Sequence, residues 1–166
     1  MLKMTSGGQC WRPVGAKARF PQRRLHLIDI ENLAGASAPS LGQVREVCGL
    51  YRECLPFGAM DQVVIASSHL TRLNAALGWP RADYRVRSGP DGADLELLDV
   101  MLRERVAERF THVAIGSGDG VFASVAAILT AAGVRVTAVS RPESLSRQLE
   151  LAAPEVIFLR AVPEAA

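Results

Sequence analysis

Leu25-His26-Leu27-Ile28-Asp29-Ile30-Glu31-Asn32-Leu33 decides how this chain is read: a short apolar run carries an acid at its end. Leu25 to Ile30 is too short for a buried helix and fits a strand covered on both faces. In an open parallel sheet, ligands bind beyond the carboxyl ends of the strands. An acid at the end of the first strand therefore stands where such folds do chemistry.

Five more short apolar or β-branched runs follow: Val63 to Ser67, Asp83 to Arg87, His112 to Gly116, Arg135 to Ser140 and Val156 to Leu159. Between them lie amphipathic blocks at Leu41 to Leu55, His69 to Leu77, Ala93 to Phe110, Val121 to Ala132 and Ser144 to Leu151. In the third block Leu95, Leu98, Met101, Leu102, Val106 and Phe110 recur at helical spacing, with Glu96, Arg103, Glu104 and Glu108 on the other face. Gly133 closes the fourth block before a new strand. Strands alternating with helices predict an α/β fold, a three-layer α/β/α sandwich with a mostly parallel, Rossmann-like sheet.

The length of 166 residues suits one core. The expected organisation is a basic N-terminal arm over 1–23, a single domain over 24–160 and a short tail over 161–166. Apolar residues make up 49% of the chain. No uninterrupted apolar stretch approaches the ~20 residues of a membrane helix, and no apolar block of a secretory signal opens the chain. The expectation is a cytoplasmic protein without a membrane partner. Cys10, Cys48 and Cys54 have neither the even number of a disulfide framework nor the spacing of a zinc site.

The net charge of +2 is unevenly spread, because Lys3, Arg12, Lys17, Arg19, Arg23 and Arg24 fall in the opening segment with no acid among them. Such a segment, bearing Trp11, suits a single-stranded phosphate backbone and a stacked base. A loose, solubilising tail has the same composition.

Three acids fall on the side of the sheet where ligands bind. Asp29 ends the first strand and forms D-x-x-N with Asn32, Asp94 opens the long helix after Pro90-Asp91-Gly92, and Asp119 follows the fourth strand in Gly116-Ser117-Gly118-Asp119-Gly120. Two or three converging carboxylates make a site for Mg2+, and Mg2+ serves phosphodiester chemistry. Asn32 has both an acceptor and donors with which to orient a phosphate or a bound water. Each of these residues taken singly also fits a helix cap or a turn. The glycines around Asp119 let a backbone pass close to a ligand, or simply turn a strand into a helix.

The runs Leu27-Ile28-Asp29-Ile30-Glu31-Asn32-Leu33, Gly92-Ala93-Asp94 and Ser117-Gly118-Asp119-Gly120-Val121-Phe122 resemble the NYN domain of the PIN-like nuclease superfamily. The later stretches Val136 to Ser140, Ser144 to Leu149 and Ala152-Ala153 are similar to that family's closing strand and helix. The likeness extends from about Leu25 to Leu159. It implies a PIN-like fold and a ribonuclease dependent on Mg2+ or Mn2+, with Asp29, Asn32, Asp94 and Asp119 at the family's site positions. Two departures stand out: Val121 where the family commonly has a second acid, and Asp91 where it commonly has a lysine. Val121 cannot coordinate an ion, so the other carboxylates must hold one with more water. Asp99 would point elsewhere on a regular helix, and Glu31 would face away if the first strand ran through it.

The expected activity is hydrolysis of single-stranded RNA, with Asp29, Asp94 and Asp119 as metal ligands and Asn32 positioning. Ser117, Arg141 and Arg147 are the candidates for substrate contact. His26, His69 and His112 lack a partner at catalytic spacing, and His26 and His112 read as packed or edge residues; Ser67 and Ser68 end the second strand and either line the cleft or serve the loop. The alternative is an RNA-binding pseudo-nuclease weakened at Val121. A phosphatase of the haloacid dehalogenase type fits less well, because Glu31 stands where that family has a second Asp and no Lys follows Lys17.

Overall fold

Six short runs pair side by side into one sheet. In the computed structural model, which describes residues 22–160, they are β1 (Arg24–Asp29), β2 (Gln62–Ser67), β3 (Asp83–Val86), β4 (His112–Gly116), β5 (Arg135–Ser140) and β6 (Glu155–Phe158). Their order is β3-β2-β1-β4-β5-β6, and every neighbouring pair is parallel. The strand order reverses between β1 and β4, which makes their carboxyl ends the switch point of the sheet. The basic arm over 1–23 falls outside the described residues except for Gln22 and Arg23, and the tail over 161–166 also lies outside.

Among the described residues seven helices cover the two faces: α1 (Ile30–Ala34), α2 (Leu41–Cys54), α3 (Arg72–Gly78), α4 (Gly92–Arg103), α5 (Val106–Arg109), α6 (Ala123–Ala131) and α7 (Arg147–Ala152). Alternation along the strands divides the core. Leu25, Leu27, Val64, Ala66, Val113 and Ile115 pack with α4, α5, α6 and α7, whereas Ile28, Val63, Ile65 and Ala114 pack with α1, α2 and α3. This is the three-layer α/β/α architecture that the alternating pattern predicts. Among the described residues no helix is long and apolar enough to cross a membrane.

Several boundaries differ from the sequence reading, and three of them for a clear local reason. The first run does not continue through Ile30: Asp29 Oδ1 accepts the Asn32 N–H at 3.1 Å and starts α1 there. The block from Ala93 to Phe110 is two helices, because Arg105 adopts φ 53° and turns the chain between α4 and α5. A 3-10 turn over Gly120–Phe122 precedes α6.

The two sheet histidines are packed and satisfied. His26 lies between the Tyr51 hydroxyl at 3.0 Å and the Asp61 carboxylate at 3.3 Å. Arg24 Nε donates to His112 Nδ1 at 2.9 Å, and the other ring nitrogen meets Thr137 Oγ1 at 2.7 Å. Burial holds both imidazoles below their ordinary range, at about 4 for His26 and about 3 for His112. Cys48 is buried and Cys54 exposed, both as free thiols.

Candidate functional site

At the switch point, β1 delivers Asp29 to the carboxyl edge of the sheet and caps α1 with it. The carboxylate is 6% exposed and spends one oxygen on the Asn32 N–H. The N-terminal end of α4 meets it from the opposite layer. Gly92 makes that approach feasible, since a Cβ there would lie 2.3 Å from the Arg87 carbonyl oxygen. Asp94, in the first turn of α4, thereby faces Asp29 within hydrogen-bonding reach.

Asp94 does not behave as a cap. The residue preceding α4 is Asp91, with φ 56° and no side-chain cap, and Asp94 Oδ1 is buried without any hydrogen-bond partner among the described residues. A native fold rarely leaves a buried carboxylate oxygen unsatisfied without a reason connected to a ligand or chemistry. Burial pushes the Asp29 carboxyl up to about 6. Burial first, then the charges of Asp29 and Asp119, push Asp94 up to about 7. Two acids forced together in this way share a proton or attract a cation.

Asp119 stands on the rim, exposed, where the chain leaves β4. One of its oxygens accepts the Val121 N–H at 2.9 Å and so caps the 3-10 turn. Asn32 locks onto the same loop, its Oδ1 accepting the Gly118 N–H at 3.0 Å, which leaves its NH2 as the end turned to the cleft. Gly118 has a packing reason rather than a ligand one, because a Cβ there would lie 2.2 Å from the Ser144 carbonyl oxygen.

These residues line one cleft of about 370 Å3, whose walls include Asp29, Asn32, Asp94 and Asp119. Glu31, Ser68, Arg87 and Asp91 line it as well. Glu31 turns inward because β1 stops at Asp29; its carboxylate accepts the Ser68 N–H at 2.9 Å and the Thr71 hydroxyl at 2.7 Å, fixing α1 to the loop after β2. The signal for this lay in Asp29-x-x-Asn32 itself, read as a helix cap as well as a site. Arg87 follows β3 and carries no motif.

The other sequence candidates do not line this cleft. Ser117 is fully buried and accepts the Asp119 N–H at 3.2 Å, so it shapes the loop. Arg141 lies in a second groove with Leu33, Val47 and Leu50, where it donates to the Asn32 carbonyl at 3.3 Å and to Glu143 at 2.7 Å. Arg147 is exposed at the start of α7. Asp99 pairs with Arg103 on the exposed side of α4.

The carboxylates suit a hard divalent ion. Among the described residues no three His, Cys, Asp or Glu side chains are grouped so as to hold an ion by themselves. Mg2+ does not require such a cage, as it keeps several waters and accepts one or two carboxylates plus substrate oxygens. The Asp29–Asp94 pair, with an unsatisfied oxygen and an open cleft beside it, fits that demand.

A family model described as NYN domain matches residues 27–160. No curated protein matches the chain. Among solved structures, a protein of unknown function from Vibrio parahaemolyticus RIMD 2210633 is similar, with a TM-score of 0.54 and 12% identity; the match covers 87% of this chain and 97% of that one. At that identity the likeness speaks for the fold.

Proposed function

This chain belongs to the NYN domain family, within the PIN-like nuclease superfamily, and on that premise we propose that it hydrolyses RNA phosphodiester bonds with a divalent cation. The observation that carries the reading is the buried pair Asp29 and Asp94, one of whose oxygens has no partner, at the sheet's switch point. NYN domains generally act on RNA and typically use divalent metals, in keeping with this chemistry.

Asp29 and Asp94 would hold Mg2+ or Mn2+, with Asp119 reaching it directly or through water. A divalent ion held by these residues would supply Lewis-acid activation of water and charge neutralisation at the phosphoryl oxygens. The chain's own residues do the rest. The Asn32 NH2, steadied by the Gly118 N–H on its carbonyl side, donates to a phosphate or to the attacking water. Glu31 holds α1 against the loop after β2, so the capped Asp29 cannot swing away. With Asp29 and Asp94 engaged as ligands, the proton lost by the attacking water leaves to solvent through the open cleft.

The test is to incubate the protein with single-stranded RNA in Mg2+, Mn2+ or EDTA, beside Asp29→Asn and Asp119→Asn. Cleavage confined to wild type with metal supports the reading; cleavage that persists in EDTA or in both variants rejects it. A second reading, an RNA-binding module without catalysis, draws on Val121 and on the lack of a tight three-acid group among the described residues. It predicts RNA binding and no cleavage in any metal. The family match gives the phosphatase alternative no support.

A further inference from the structure

We propose that Arg87 is the phosphate-binding residue of this cleft, holding an RNA phosphate adjacent to the one hydrolysed beside Asp29 and Asp94; the inference rests on the ribonuclease reading. Five carboxylates line the cleft, those of Asp29, Glu31, Asp91, Asp94 and Asp119, and Arg87 is the only basic side chain lining it among the described residues. A polyanion approaching such a wall gains only where a cation meets it.

The backbone of Arg87 is clamped while its side chain is only loosely paired. Its N–H donates to the Ser67 carbonyl at 3.1 Å, extending the β2–β3 ladder by one residue, and its carbonyl lies against Gly92. Gly92 opens the same turn that carries Asp94, so the base of Arg87 and the carboxylate pair are fixed relative to each other. The side chain is 52% exposed, and the guanidinium's ionic neighbour is Glu96 at 3.7 Å, beyond hydrogen-bonding length. A partly exposed pair at that distance holds weakly and releases the guanidinium at little cost. Arginine then offers a planar fork that matches two phosphate oxygens. Arg141, by contrast, already has its guanidinium engaged by Asn32 and Glu143.

A residue that grips a neighbouring phosphate demands a substrate with at least two of them. The cleft thereby prefers an oligonucleotide to a simple phosphate diester. The experiment compares a short single-stranded RNA with bis(p-nitrophenyl) phosphate, in Mn2+, for the full chain and its Arg87→Gln and Arg87→Lys variants. Arg87→Gln should raise KM for RNA at least tenfold and flatten the slope of log affinity against log salt by about 0.7, the share of one phosphate contact on a single strand. Mn2+ should still bind, the loss on the simple diester should be much smaller than that on RNA, and Arg87→Lys should restore part of the RNA affinity. Unchanged KM and salt slope in Arg87→Gln, with Mn2+ still bound, would overturn the assignment, as would an equal loss on both substrates. A wild-type protein that cleaves neither substrate overturns the ribonuclease reading first, and this inference with it.

Discussion

Asp94→Asn should stabilise the metal-free protein while removing its affinity for metal. The carboxyl is 8% exposed and is pushed up to about 7 from its ordinary 3.8, by burial and then by the charges of Asp29 and Asp119. A raised carboxyl pKa means that the folded chain keeps a proton which the unfolded chain has released. Its contribution to stability is whole below pH 3.8 and is lost as the pH rises through about 7. At about 1.4 kcal/mol per pKa unit, the ionised side chain costs the fold up to about 4 kcal/mol above that pH. Asparagine keeps the shape and drops the charge, so the expected gain at pH 8 in EDTA is about 2–4 kcal/mol. For a domain of this size each kcal/mol moves the melting temperature by about 3–4 °C, giving a rise of roughly 6–15 °C. At pH 4 the two proteins should melt within about 2 °C of each other. Adding Mn2+ at a hundred times Kd should stabilise wild type by about 2.7 kcal/mol and the variant not at all. Thermal unfolding by circular dichroism at the two pH values, with and without Mn2+, measures all of this. A variant less stable than wild type at pH 8 in EDTA would refute the reasoning, because Asp94 would then be a structural partner and not a strained ligand.

Four further outcomes follow from the same geometry. Asp29→Asn and Asp29→Ala both remove the charge, but only asparagine keeps the bond to the Asn32 N–H; urea unfolding should find the alanine variant less stable by about 1 kcal/mol, and neither should cleave RNA. Mn2+ titrated by electron paramagnetic resonance should bind more weakly as the pH falls below 7 and then 6, since protons on Asp94 and Asp29 compete with the ion. Gly92→Ala drives a methyl group against the Arg87 carbonyl; a loss of about 1–3 kcal/mol in urea unfolding is expected, with weakened Mn2+ binding as Asp94 moves. Tyr51→Phe removes the hydroxyl beside His26, far from the cleft; it should cost about 1 kcal/mol and leave RNA cleavage at the wild-type rate.

The fold was legible because each strand of a buried parallel sheet is an apolar run too short for a helix, and β4 and β5 begin and end where their runs do. Element ends were less legible, since they depend on single side chains and dihedrals: Asp29 stopping β1, Arg105 breaking the helix after α4. The acids could be read as one site because strand ends at a switch point are spatial neighbours whatever their separation along the chain. Contacts made by long side chains could not. Arg141 follows a strand end as Asp29 does, yet its guanidinium turns to the Asn32 carbonyl and a different groove. Arg87 carries no motif, and only the packing of Gly92 brings its segment against the carboxylates. Glu31 was misplaced by one assumption, that the strand ran through it.

The most direct test of a metal held by these acids is diffraction from crystals of the protein soaked in Mn2+, recorded at the manganese absorption edge. An anomalous peak between the Asp29 and Asp94 carboxylates, on the side open to Asp119, is the predicted result. Full Mn2+ exposure with no peak there would contradict it.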